Sequence, residues 1–211
     1  MKNNIDVLRL IELLRKKIPN PVCELNFSNV FELLIAVILS AQCTDYRVNI
    51  VTKELFLKYK TPEDFVNADK SEIEAIIKPC GFYKNKTKNI VNCCEVLVNE
   101  YNSIVPNSLE ELVKLPGVGR KTASVVLAVG FKIPAFPVDT HLFRLARRFG
   151  IYDGNDVYKC ELAYKKVLPE NLWIEAHHLI LLFGRYYCKA IKPACENCVL
   201  KEFCLEFKKE V

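Results

Sequence analysis

Four cysteines near the end of the chain, Cys188, Cys195, Cys198 and Cys204, stand at the spacing C-x6-C-x2-C-x5-C. No other feature so limits what this chain can fold into. Four thiolates in one short stretch can wrap a single centre, and soft sulfur ligands select an iron–sulfur cluster or zinc over harder ions. Zinc sites usually pair their ligands in two short C-x2–4-C loops, a habit that the six- and five-residue gaps fit poorly. A disulfide framework belongs to small secreted chains. Here Met1-Lys2-Asn3-Asn4 leads into an amphipathic segment, with no apolar leader core and no small-residue cleavage site. The other six cysteines (Cys23, Cys43, Cys80, Cys93, Cys94 and Cys160) read as reduced, buried core thiols and point to a reducing cytoplasm.

With 211 residues, 51% of them hydrophobic, the chain can bury a core as one domain or two small lobes. The longest apolar run, Val30 to Ala41, contains Glu32 and is too short to cross a bilayer. It reads as a buried core helix, and no membrane partner is expected. The formal charge of +5 is mild, so binding to a polyanion requires it to be concentrated on one face. Lys84, Lys86 and Lys88, with Arg144, Arg147 and Arg148, are the candidates for that face.

Helical periodicity runs through almost the whole chain. Val7, Leu10, Leu14 and Ile18 recur at helical spacing until Pro19 and Pro21 stop the helix. Asn29 with Glu32, Ser71 with Glu74, and Ser108 with Glu111 each have the form of a capping box. Thr61-Pro62-Glu63 puts proline at a first helical position. Period-two alternation bounded by hairpin turns is missing, and Ile133 to Thr140 is too rich in proline for a central strand. The class is all-α.

Two helices meet at Leu115-Pro-Gly-Val-Gly-Arg-Lys-Thr-Ala123. The first ends near Lys114 and the second begins near Arg120. Glycine at two alternate positions permits positive φ and close approach of a ligand to the backbone. The turn feeds a helix N-terminus, where free N–H groups and the dipole attract an anion. Such a hairpin grips a nucleic-acid phosphate without reading sequence. Lys121 stands in the first turn of that helix, where the dipole disfavours its charged form and eases access to the nucleophilic amine. Asp139, in Pro137-Val-Asp-Thr-His141, is by position the N-cap of a helix from Thr140 to Phe149.

Taken together these stretches closely resemble the endonuclease III family of DNA glycosylases, bifunctional members of the helix-hairpin-helix superfamily. The resemblance rests on Leu39-Ser-Ala-Gln-Cys-Thr-Asp45, Gly81-Phe-Tyr83, Leu115 to Ala123 and Val138-Asp-Thr-His-Leu-Phe-Arg144. His177-His178, Gly184-Arg-Tyr186 and the four cysteines complete it, so that it covers the chain from about Asn29 to Cys204. It implies a two-lobed fold. A six-helix barrel is expected over residues 22–132, with the helix-hairpin-helix at about 108–130. Residues 1–21 and 133–211 are expected to form a discontinuous lobe that carries a [4Fe-4S] cluster on Cys188, Cys195, Cys198 and Cys204.

The resemblance also implies an activity. It is that of a monomeric cytoplasmic enzyme, nucleoid-associated in a prokaryote, that acts on damaged double-stranded DNA in base excision repair. Oxidised pyrimidines of the thymine glycol type are flipped out of the stack and released, and the strand is cut on the 3′ side by β-elimination. Lys121 is implied as the Schiff-base nucleophile and Asp139 as the carboxylate that stabilises the sugar cation. Gln42 fills the vacated space, and Phe82 takes a wedge position that usually holds leucine. Leu115, Gly117, Val118, Gly119, Arg144 and Lys192 are the remaining expected DNA contacts. Phe183 precedes Gly184 where relatives often have histidine, and Ala128-Val129 replaces a more polar pair.

Overall fold

The computed structural model describes residues 4–207, with side chains from Val7 onward. Met1 to Asn3, read above for a leader, lie outside the described residues. Eleven α-helices follow one another among the described residues, with no strand. They are α1 (Asn4–Lys17), α2 (Val30–Leu39), α3 (Asp45–Lys58), α4 (Pro62–Val66), α5 (Lys70–Ile77) and α6 (Tyr83–Tyr101). After these come α7 (Leu109–Leu112), α8 (Arg120–Val125), α9 (Thr140–Arg148), α10 (Val157–Val167) and α11 (Trp173–Tyr186). The chain divides into two compact units: Glu24–Ile133 forms one, and the chain up to Cys23 joins that from Pro134 onward in the other.

The Glu24–Ile133 unit is organised around α2. From Phe31 to Leu39 every residue of α2 but Glu32 is buried, because a helix apolar on all sides is stable only when enclosed. Helices α3, α6 and α8 pack on it. Asn29 caps α2 by accepting from Glu32 N at 2.9 Å, while the Glu32 carboxylate turns back to Ser28. Pro62 opens α4 behind a Thr61 cap that Asp64 reciprocates. Ser71 does not cap α5. Asp69, two residues earlier, does, its carboxylate accepting from Ser71 N at 2.8 Å. After α8 the helix widens into a π segment, Val126–Phe131, that buries Val126 to Val129. Ala128 and Val129 are therefore packing residues.

In the other unit, Val7, Leu10, Ile11, Leu14 and Ile18 of α1 share one apolar cluster with Phe136, Leu142, Leu145, Tyr164, Leu179 and Phe183. The Tyr164 hydroxyl donates to the Leu142 carbonyl at 2.9 Å, satisfying a buried polar group that would otherwise destabilise the core. Phe183 is buried and stacks on Tyr187 with centroids 5.7 Å apart. Arg15 holds Glu175 through two bonds of 2.7 Å.

Candidate active site and DNA-contact residues

In the Glu24–Ile133 unit the hairpin between α7 and α8 is built from the inside out. Leu115 and Val118 are buried, and their N–H groups are spent on Leu112 O (3.2 Å) and Leu115 O (3.0 Å). Expected among the DNA contacts, both anchor the turn from inside. Gly117 lies at φ +78°, and a Cβ there would stand 2.8 Å from Asn89 Cβ. Gly119 is different. Its backbone is extended (φ −86°, ψ 173°), and a Cβ on it would meet nothing within 4 Å. It caps α8 without any side-chain bond, although Ser, Thr, Asp or Asn would satisfy an open helix start. The N–H groups of Gly117 and Gly119 make no hydrogen bond among the described residues.

This contrast predicts two outcomes. Gly117→Ala should destabilise the protein by about 2 kcal/mol, from the left-handed backbone and the collision with Asn89. Gly119→Ser should leave the melting temperature unchanged or slightly raised, because it supplies the missing cap. It should nevertheless weaken binding to duplex DNA, because that cap occupies the N–H groups. Thermal melts and fluorescence-anisotropy titrations check both.

Lys121 follows in the first turn of α8. It is exposed, and its ammonium has no hydrogen bond or ion pair among the described residues. Gln42 and Phe82 are also exposed, and both lie in the left-handed region, at φ 54° and 48°. Non-glycine residues rarely adopt that conformation, and such strain clusters at functional sites. Phe82 is 64% exposed and occupies the N-cap of α6 without a capping side chain.

One face of α6 ties these loops together. Phe82, Lys86 and Asn89 recur at i, i+4 and i+7. Lys86 was expected on a basic surface but is buried, with its ammonium donating to Leu39 O and Cys80 O, each at 2.9 Å. Burial holds its pKa below the usual lysine value. Asn89 lies against Gly117, roughly 10 Å along the helix from Phe82. Lys86 and Asn89 are the positioning residues that sequence reading missed. Three lysines at alternate positions cannot share a helix face, and that spacing was the available signal.

The other unit presents Asp139 as the N-cap of α9. Its Oδ1 accepts from both His141 N and Leu142 N at 2.9 Å. Oδ2 has no hydrogen bond among the described residues. Arg144, expected at a phosphate, is committed inward. Its Nη2 donates to Gly184 O (2.8 Å) and Cys188 O (2.9 Å). Arg148 is buried and donates to Cys188 Sγ (3.0 Å) and Lys189 O (2.9 Å), with Glu206 at 2.6 Å from its Nε. Arg147 bonds Gly154 O and Asn155. Of the six residues proposed for a basic face, Lys84, Lys88 and Arg147 are exposed. Both Arg144 and Arg148 brace the cysteine loop from behind, leaving Lys189 and Lys192 on its outer side, exposed, with Lys192 at φ 51°.

Cys188, Cys195, Cys198 and Cys204 are free, half-buried and line one cavity of about 60 Å³. That is several times the ~10–15 Å³ needed for one water. Among the described residues no group of three His, Cys, Asp or Glu is arranged to hold a single ion. Four thiols around one space fit a multi-atom sulfur-ligated cluster. Burial pushes the Cys188 and Cys198 thiols up, and the positive charge of bound iron offsets that effect. N–H donors already aim at two of the sulfurs, from Arg148 to Cys188 and from Leu200 N to Cys198 at 3.4 Å. Such bonds stabilise ligating thiolates. Of the remaining cysteines, Cys80, Cys93, Cys94 and Cys160 are buried, but Cys23 and Cys43 are only half-buried because they lie in loops.

Comparison with known proteins matches this architecture over its length. The HhH-GPD superfamily base excision DNA repair protein model covers residues 35–170, and the iron-sulfur binding domain of endonuclease III covers residues 188–204. Endonuclease III of Bacillus subtilis is 47% identical over 207 residues, which is 96% of this chain and 94% of that protein. The Escherichia coli K12 enzyme is 41% identical over 209 residues, 99% of each chain. A solved endonuclease III–DNA covalent intermediate, trapped as an estranged-adenine complex, superposes with a TM-score of 0.95 at 45% identity, covering 100% of this chain and 99% of that one. The all-helical fold, the Gly-x-Gly hairpin and the cluster-binding cysteines thus agree with the full-length match, and the chain belongs to the endonuclease III family of the HhH-GPD superfamily.

Proposed function

We infer that this protein is a bifunctional DNA N-glycosylase and AP lyase of base excision repair that carries a [4Fe-4S] cluster. One observation carries the reading: an exposed, unpaired lysine directly follows a hairpin whose glycine N–H groups are open. In a family with a member trapped covalently on DNA, that lysine is the natural point of attachment.

The residue roles follow from charge. The Gly117 and Gly119 N–H groups, with the open first turn of α8, bind a backbone phosphate and hold the strand in register. Gln42 and Phe82 enter the duplex where the damaged nucleotide leaves it, Phe82 as an aromatic wedge. As the glycosidic bond breaks, the sugar gains positive charge, which the Asp139 carboxylate stabilises. Asp139 accepts a proton so that Lys121 attacks C1′ as the neutral amine. The Schiff base acidifies the 2′ hydrogens, and loss of one expels the 3′ phosphate. Oxidised pyrimidines such as thymine glycol are the proposed lesions. When bound, the cluster organises the cysteine loop, and no bond-breaking step requires electrons from it. Arg144 is assigned to loop support, and Lys192 to a phosphate. Ten free cysteines and a DNA substrate fit a reducing, nucleoid-containing cytoplasm.

Incubation with a duplex containing one thymine glycol tests the reading. Release of the base and cleavage on the 3′ side, leaving an unsaturated aldehyde, is expected. Tight binding without cleavage would support a damage sensor in its place. Lys192→Ala should reduce the slope of log K against log salt by about 1, with visible absorption unchanged. An unchanged slope removes the loop from DNA contact.

A further inference from the structure

Cys43 and Cys80 stand in the two loops that carry Gln42 and Phe82. Cys43 follows Gln42 in a turn closed by Cys43 N to Ser40 O at 3.0 Å. Cys80 ends the 3-10 turn Lys78–Cys80, two residues before Phe82. Two long cationic side chains draw these segments together. Lys86 spans Leu39 O and Cys80 O, Arg47 Nη1 donates to Pro79 O at 3.3 Å, and the Cys43 side chain lies near enough to Cys80 to help push its thiol up. Cys43 is half-buried, so solvent reaches it, whereas Cys80 is buried. Cys93 and Cys94 are both buried, as is Cys160, and burial pushes Cys93 and Cys160 up to about 12.

We propose that Cys43 and Cys80 are a redox modification site, closing to a reversible disulfide by exchange with a small glutathione-type disulfide and locking the Gln42 and Phe82 loops together. The Cys43 thiolate, its proton lost to solvent, attacks one sulfur of the small disulfide. That S–S bond breaks, one small thiolate leaves, and Cys43 becomes a mixed disulfide. Cys80 then loses its proton, attacks the Cys43 sulfur and expels the second small thiol. Two protein thiols are oxidised and one small disulfide is reduced to two thiols. Burial and the neighbouring Cys43 push the Cys80 thiol up to about 11, so the accessible Cys43 attacks first and Cys80 resolves. The Lys86 and Arg47 cations favour the Cys80 thiolate at that step.

The consequence for DNA rests on the reading of Gln42 and Phe82 as duplex-probing residues. Formation of the disulfide does not. Both residues hold left-handed backbone conformations, and a covalent link one residue from Gln42 and two from Phe82 removes the freedom with which each loop enters the duplex.

The test uses the cluster-bearing protein, treated with glutathione disulfide, alkylated, proteolysed and read by mass spectrometry. A peptide pair cross-linked through Cys43 and Cys80 is expected, with visible absorption unchanged. Affinity for a duplex bearing an uncleavable abasic analogue should fall at least about tenfold and return with dithiothreitol. Cys43→Ser, at a half-buried loop position that carries little folding risk, should bind like the reduced protein and ignore the oxidant, as should Cys80→Ala. Absence of the cross-link, a cross-link without loss of affinity, or an equal loss in Cys43→Ser overturns the proposal. A reduced protein that ignores the abasic duplex counts against the functional reading, and the cross-link still decides whether the thiols pair.

Discussion

Lys121→Ala should give a folded, cluster-bearing protein that cuts abasic DNA at least about 10³-fold more slowly than the parent, the scale on which loss of a nucleophile is felt. The structure separates this loss from any loss of stability. Lys121 is exposed, and its ammonium is bonded to nothing among the described residues. Its charge sits at the positive end of α8, a placement that costs a few tenths of a kcal/mol and that alanine relieves. The melting temperature of the variant should therefore equal or slightly exceed that of the parent. Single-turnover cleavage and a thermal melt on the same preparation check both halves. A variant that loses activity and stability together would point to a structural role for Lys121.

Asp139 calls for a different substitution, because one carboxylate does two things. Its Oδ1 caps α9 through His141 N and Leu142 N, and its Oδ2 is open. Asparagine caps about as well as aspartate, so Asp139→Asn keeps the helix start and removes only the charge. Its melting temperature should hold while glycosylase and lyase rates fall about 10²- to 10⁴-fold, the range for a positioned acid–base group. Asp139→Ala should lose the same activity and about 1 kcal/mol of stability with the cap. If Asp139→Asn retained full rates, the capping role alone would account for the residue.

Much of this was legible in the sequence because local signals agreed with the fold. The apolar stripe of α1, the enclosed run in α2, the Pro62 start and the Asp139 cap are each set by a few neighbouring residues, and all four appear as read. The cysteine spacing announced its own loop. Misreadings came where a side chain has two destinations. Ser71 offered a cap that Asp69, two residues earlier, supplies instead. Arg144, Arg148 and Lys86 looked like a surface for phosphates, yet each spends its donors on backbone carbonyls or on Cys188. Long cationic side chains reach into partly buried polar pockets as readily as toward solvent, and the pockets themselves form only in the folded chain. The paired glycines were read alike, but only Gly117 needs positive φ; Gly119 leaves a helix start open. Cys43 and Cys80 lie far apart in sequence, so no spacing rule foretold that their loops meet.

The most direct test of the central claim, that Lys121 is the covalent nucleophile, is borohydride trapping on a duplex containing an abasic site. The intact protein should yield one stable protein–DNA adduct, with mass spectrometry locating the reduced link on Lys121, and Lys121→Ala should yield none. An adduct of equal yield in Lys121→Ala, or none from intact protein that binds the same duplex tightly, would contradict it.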